Sequence, residues 1–166
     1  MSLEPWMEGG ITDVDPIRAA VLYSFRHALR DITEWIARVD EQDLPMRHGR
    51  LASAAFQVRH IAGSIDRLIT YAAGQQLSET QLEQLRQEEG RPATRATLLE
   101  ELGAALSSAE ARIRSFDPAS YSDIREIGRR RVPVPLGVLL VHIAEHTQRH
   151  VGQLIMTIKV MREEYR

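Results

Sequence analysis

Four stretches of the chain place apolar residues three and four apart, the spacing that gathers them on one face of an α-helix. The first covers residues 16–39, with Leu22, Phe25, Leu29, Ile32, Ile36 and Val39 on its stripe. Asp15 stands ready to cap it and Pro16 to open it, because the first helical position needs no N–H. The second covers residues 50–73, where Leu51, Ala54, Val58, Ile61, Ile65, Leu68 and Ala72 keep the spacing and Gly74 supplies a stop. Its stripe is narrow at Ala52, Ala54, Ala55 and Ala62, so a neighbouring helix can come close there. The third covers residues 94–116, with Leu98, Leu102, Leu106, Ala109, Ile113 and Phe116 inward, and Asp117-Pro118 ends it. The fourth opens at Pro133 or Pro135 and runs to about residue 162. Its seam reads Leu136, Leu139, Ile143, His146, His150, Gln153, Thr157 and Val160.

The segments between are polar or broken. Residues 40–49 include Pro45 and Gly49 and read as a loop. Residues 77–89 predict a short helix, with Ser78 and Gln81 as a capping box and Leu82 and Leu85 as its apolar contacts. Residues 120–135 form a connector that carries Arg125 and the run Arg129-Arg130-Arg131 and ends in an extended Val132-Pro133-Val134-Pro135. Residues 1–14 hold Gly9-Gly10 and no period, so they read as an N-terminal arm ordered by docking. No stretch alternates with period two, and no strand is predicted. The pattern predicts an all-α fold: one four-helix-bundle domain over residues 1–166, with a short extra helix between the second and third long ones. The long connection there admits a crossover topology and leaves the order of packing open.

Composition narrows the chemistry. A net charge of −2 argues against a nucleic-acid partner, since phosphate binding calls for a basic surface. The absence of cysteine removes disulfides, thiolate nucleophiles and thiolate metal ligands. Any metal must then be held by His, Asp or Glu, which suits zinc, nickel or a similar first-row ion. No apolar run approaches the ~20 residues of a membrane-spanning helix. The N-terminus lacks the basic-then-apolar order of a secretory signal, so a cytoplasmic protein is expected.

Against that background the fourth helix stands out. His142, His146 and His150 follow at steps of four, and His146 and His150 interrupt the apolar seam. A buried imidazole without a partner costs about 1–3 kcal/mol. Metal coordination removes that cost by using one nitrogen as ligand while the other donates to a neighbour. The plainer alternative is that each histidine simply hydrogen-bonds nearby. At ~1.5 Å of rise per residue, His142 and His150 are about 12 Å apart along the axis. One ion therefore takes the pair 142/146 or the pair 146/150. A third ligand must come across the bundle, and His60, at the edge of the second helix's stripe, is the candidate. Three protein nitrogens leave positions open for water or substrate, as in catalytic sites. Glu145 and Gln153 are candidates to orient the ligands. Arg67, Arg149 and Arg129-Arg130-Arg131 are candidates to attract an anionic substrate, against the reading of an ordinary solvated basic surface. His27 and His48 read as solvent-side, and no carboxylate stands out as a general base.

The stretch His146-Thr147-Gln148-Arg149-His150-Val151-Gly152-Gln153 resembles the H-x-x-x-H-x-G-Q signature of the DinB-like superfamily, which also contains the YfiT-like proteins. Val58-Arg59-His60-Ile61-Ala62-Gly63-Ser64-Ile65-Asp66-Arg67-Leu68 resembles that family's second-helix motif, a histidine followed by an apolar helical run. The resemblance spans residues 16–162. It implies an up-down-down-up four-helix bundle and a divalent-metal site whose ligands are His60, His146 and His150, which selects the second histidine pair. It also implies a metal-dependent enzyme, of a kind that joins a low-molecular-weight thiol to an electrophile or isomerises a thiol adduct, and a homodimer. Val151 stands where the family usually carries a basic residue. An ion on three neutral imidazoles activates a thiol or a water near neutral pH. Without cysteine of its own, the protein would receive any thiol as a small-molecule cosubstrate. A thiol S-transferase or a hydrolase is therefore expected; the alternative is a catalytically silent dimeric bundle with a structural or sensing metal site.

Overall fold

Each long helix begins where its free amide groups find an acceptor. The computed structural model describes residues 3–162 and contains the four long helices as α2 (Pro16–Ile36), α3 (Ala54–Ala72), α5 (Arg95–Ser115) and α6 (Leu136–Met161). The Asp15 carboxylate accepts from the backbone amides of Ile17 and Arg18 at the head of α2. Ser53 accepts from Phe56 at the head of α3, and Thr94 and Thr97 cap α5 reciprocally. α6 has no side-chain cap. Instead its first amides, Leu136 and Gly137, donate to the carbonyls of Asp123 and Tyr121 in the preceding connector.

The far ends of α2, α3 and α5 are each closed by an arginine from another element. Arg95 donates to the carbonyls of Ile36 and Val39 at 3.1 and 2.6 Å, Arg125 to Ala72 at 2.8 Å, and Arg18 to Arg114 at 2.6 Å. A cation there meets both the unpaired carbonyls and the negative end of the helix dipole.

These bonds also fix the topology. Arg59 meets Glu101 near the heads of α3 and α5, and Arg112 meets the Ile69 carbonyl near their ends, so the two run parallel. Ser24 and Gln148 join α2 to α6, and Arg162 reaches the Arg38 carbonyl beyond α2, so that pair is parallel too. α2 and α5 are antiparallel, since Arg18 meets Arg114 and Arg95 meets Ile36. α3 lies between α5 and α6. The order is up-down-down-up, as the family resemblance implies. The parallel step from α3 to α5 requires the chain to return along the bundle. The crossover does so and carries the short α4 (Glu79–Arg86) behind the expected Ser78–Gln81 capping box.

Leu22, Ile32, Ile36, Ile61, Ile65, Ile69, Leu98, Leu102, Ile113, Leu136 and Leu140 are fully buried and form the core. Each contributes on the order of 1.5–3 kcal/mol of transfer free energy. On the first two long helices, two predicted stripe residues are exposed: Ala28 takes the inward place assigned to Leu29, and Leu51 lies before α3 begins. The seam of α6 is also displaced. It runs through Leu136, Leu140, Ile143, Thr147, Val151, Leu154 and Ile158, leaving Gln153 and Val160 exposed and His146 and His150 half-buried at its edge. Thr147 can enter the core because its hydroxyl donates to the Ile143 carbonyl at 2.8 Å. A polar letter thus marks a buried position.

Among the described residues, the connector holds the one clear departure from an all-helical fold. β1 (Ile124–Ile127) pairs antiparallel with β2 (Val132–Pro135), with Ile124 opposite Pro135 and Ile127 opposite Val132. No strand was expected because Ile-Arg-Glu-Ile does not alternate and β2 carries two prolines. A two-stranded ribbon tolerates them, since each strand keeps an outer edge that needs no N–H. The turn uses left-handed Gly128 and Arg131, and the Arg131 amide donates to the Gly128 carbonyl.

The N-terminal arm docks on α2. It contains one helical turn, α1 (Pro5–Glu8), and a buried Ile11 whose amide donates to the Tyr23 hydroxyl. No helix of the described residues is long and apolar enough to cross a membrane.

Candidate metal centre

α3 and α6 pack side by side and bring His60, His146 and His150 together. The ring centres of His60 and His150 are 4.3 Å apart, those of His146 and His150 4.6 Å, and those of His60 and His146 5.6 Å. One nitrogen from each lies within 4.8 Å of the other two, and no other group of three such side chains converges among the described residues. Two nitrogens held at about 2.1 Å from one zinc ion stand at most about 4.2 Å apart, so ring movements of about an ångström close the set around an ion. Phe56, one turn before His60, stacks on its ring at 5.4 Å and 13°.

The remaining ring nitrogens are engaged. His60 Nδ1 donates to the Glu88 carboxylate at 2.7 Å, and His150 Nδ1 donates to Gln57 Oε1 at 3.0 Å. Both partner atoms are acceptors, so in the neutral rings the proton sits on Nδ1 and the lone pair on Nε2. Glu88 is only 6% exposed and forms a 2.7 Å ion pair with Arg67. Sequence reading found neither partner. Gln57 left a faint signal, a polar residue one helical turn before His60. Glu88 left none, because it sits in the polar run Gln87-Glu88-Glu89 of the crossover.

Burial favours the neutral form of the two α6 imidazoles. Burial, followed by the neighbouring charges of His60 and His146, pushes His150 down to about 4. A contact from Gln153 acts weakly in the opposite sense. His146 is lowered for the same leading reason, burial, and then by His60 and His142. The donor set therefore fits a first-row divalent ion: three imidazole nitrogens, with burial favouring the neutral form of His146 and His150, and no thiolate.

The other sequence candidates fall elsewhere. His142 lies one turn from His146, with ring centres 5.5 Å apart, and pairs with Glu145 on the outer face of α6. Glu145 is shared with Arg149, and Gln153 is exposed. Arg67 is committed to Glu88. Arg129 and Arg130 are exposed in the hairpin turn, and Arg131 pairs with Glu126. His48 is exposed as expected. His27 is not solvent-side: it lies mostly covered by the docked arm, 3.9 Å from the Glu4 carboxylate.

Two recesses lie along α6, and of the two only the second is lined by one of the three histidines. One, of about 840 Å³, begins at His142 and Glu145 and runs over Leu68, Val138, Val141 and Val132 toward the hairpin; its walls are almost wholly apolar. The other, of about 650 Å³, lies beside His150, between Phe56 and Gln57 on one side and Arg50 and Arg149 on its rim.

Fold and site together define a helical-bundle protein with a three-histidine group between its second and fourth long helices. The chain belongs to the DinB superfamily, whose sequence profile matches residues 24–154. Among solved structures it is similar to a DinB-like protein of Bacillus subtilis, YjoA, with 15% identity over 85% of this chain and 91% of that one and a TM-score of 0.62. No curated protein sequence matches it.

Proposed function

We propose that this protein holds a divalent ion, zinc or nickel, on Nε2 of His60, His146 and His150 and acts as a thiol S-transferase or hydrolase. The observation that carries the reading is the convergence of three imidazoles, two of which have their Nδ1 protons already committed to Glu88 and Gln57. When bound, such an ion supplies Lewis acidity that activates a thiol or a water near neutral pH.

The chain's own residues do the rest. Glu88 and Gln57 orient two of the rings, and burial keeps His146 and His150 unprotonated. The apolar recess seats the uncharged part of an electrophile one helical turn from His146. Arg50 brings positive charge to the opposite recess, with Arg149 on its rim paired to Glu145, and the carboxylates of a small thiol would lie there.

The test begins with metal content of the wild type and of His60→Ala, His146→Ala and His150→Ala. One ion per wild-type chain, lost in each variant, supports the site. A wild type that neither purifies with metal nor loads zinc or nickel ends the metal reading. The loaded protein is then offered low-molecular-weight thiols with electrophiles, and esters alone. Binding without turnover favours the silent bundle.

A further inference from the structure

We propose that Glu88 is the positioning residue of this centre: the crossover segment delivers its carboxylate to hold His60 in the one tautomer that presents Nε2 to an ion. The purpose assigned to Glu88 rests on the proposed metal function; the geometry that supports it does not.

A histidine ring on a helix has two nearly equivalent faces to offer, since rotation about its terminal torsion exchanges the positions of Nδ1 and its carbon counterpart. The stacked Phe56 restrains the plane of the His60 ring without choosing between those orientations. The Glu88 carboxylate does choose. It can only accept, and it stands 2.7 Å from Nδ1. In the neutral ring Nδ1 then carries the proton and Nε2 the lone pair, and Nε2 is the nitrogen left to join His146 and His150. A carboxylate behind an imidazole also raises its strength as a ligand.

Glu88 is held there by more than its bond to His60. Arg67, one turn beyond Gly63 on α3, neutralises it with an ion pair at 2.7 Å. Gly63 makes room for both: a Cβ at that position would stand 2.6 Å from Glu88 Oε1 and 2.7 Å from Arg67 Nη1. The chain on either side is pinned independently. Gln81 donates to Asp66 and Thr70 at 2.6 and 2.8 Å, and Arg59 donates to the carbonyls of Arg91 and Pro92 at 2.9 and 2.6 Å. Arg47 pairs with the adjacent Glu89 at 2.6 Å. Among the described residues, no other carboxylate is bonded to any of the three histidines. Arg67 meets Oε1 as an ion pair without a hydrogen bond, so the hydrogen bond this buried carboxylate makes is the one through Oε2 to His60.

The experiment compares the wild type with Glu88→Gln and with the double variant Glu88→Leu/Arg67→Met, which removes both charges and so leaves no buried ion alone. Nitrogen-15 NMR of the metal-free proteins reads the His60 tautomer, and competition with a chromophoric chelator reads zinc affinity. The expected result is the Nδ1–H tautomer in the wild type and in Glu88→Gln, whose amide oxygen still accepts. The double variant should lose that preference and bind zinc about 10- to 100-fold more weakly, with a smaller loss in Glu88→Gln. A double variant that keeps the tautomer, or binds zinc as the wild type does, overturns the proposal. If the wild type binds no zinc, the proposed function fails, and the tautomer measurement alone still decides whether Glu88 positions His60.

Discussion

His150 on α6 donates its Nδ1 proton to the amide oxygen of Gln57 on α3, 93 residues earlier, at 3.0 Å. Gln57 is buried, and this bond satisfies an amide that would otherwise lie in an apolar interface. Replacing it by leucine keeps the volume and strands the Nδ1–H. Gln57→Leu is expected to bind zinc about tenfold more weakly or worse, with a melting curve close to that of the wild type. Chelator competition and circular dichroism measure the two. Equal zinc affinity in the variant would reduce Gln57 to a packing residue.

His142 and His146 occupy the same helix face one turn apart, yet they are not equivalent. His142 pairs with Glu145 toward solvent, whereas His146 faces His60 and His150. His142→Ala is therefore expected to retain the wild-type metal-to-protein ratio after dialysis, and His146→Ala to lose it. Elemental analysis of the two dialysed variants decides. Loss of metal from His142→Ala would move the centre one turn along α6.

The long helices were legible because their apolar residues repeat with the helical period, and Asp15, Ser78 and Gln81 announced helix starts through chemistry that acts within three residues. The three-histidine set was legible through motif resemblance, and axial distance alone left His142 in play. What remained hidden depends on contacts that no local pattern encodes. Thr157 lies inward as its place on the seam predicts, but Thr147 looks polar, and the predicted seam passes through His146 and His150 instead; its hydroxyl tied to its own helix, Thr147 turns inward. The prolines of Val132–Pro135 disguised a strand, and Glu88 reaches His60 only because the crossover folds back over α3.

Gly63 and Gly103 give a controlled pair, both interior to long helices. A methyl group at Gly103 meets nothing within 4 Å, so Gly103→Ala should stabilise the protein by roughly 0.5–1 kcal/mol through backbone entropy alone. The same change at Gly63 drives a methyl into Glu88 and Arg67, both buried. Overpacking of that kind costs about 1–3 kcal/mol, enough to cancel the helical gain or exceed it. Gly63→Ala is also expected to weaken zinc binding, by displacing the carboxylate behind His60. Urea denaturation and zinc titration of both variants test this; a Gly63→Ala protein as stabilised as Gly103→Ala would mean that the pair moves aside freely.

Asp15 links the head of α2 to the connector before α6, and its titration should be visible in acid. Burial pushes the carboxyl up, but bonds from the Tyr121 hydroxyl at 2.6 Å, the Arg18 side chain and the amides of Arg18 and Ile17 outweigh it and hold it at about 2, below its ordinary 3.8. Between those two values the unfolded chain binds more protons than the folded one, so stability falls as pH falls. The contribution of the ionised carboxylate is complete above about pH 4 and is lost progressively toward pH 2. The stability gap between the wild type and Asp15→Asn should therefore be constant from pH 5 to 7 and narrow below pH 4. Tyr121→Phe should cost about 1.5–3 kcal/mol at neutral pH, the usual worth of a hydrogen bond to a charged group. Urea midpoints from pH 2 to 7 provide the measurement, and other titrating groups cancel in the difference because they are common to both proteins. A gap that stays unchanged down to pH 2 would show that the Asp15 carboxylate is not selectively stabilised in the folded state.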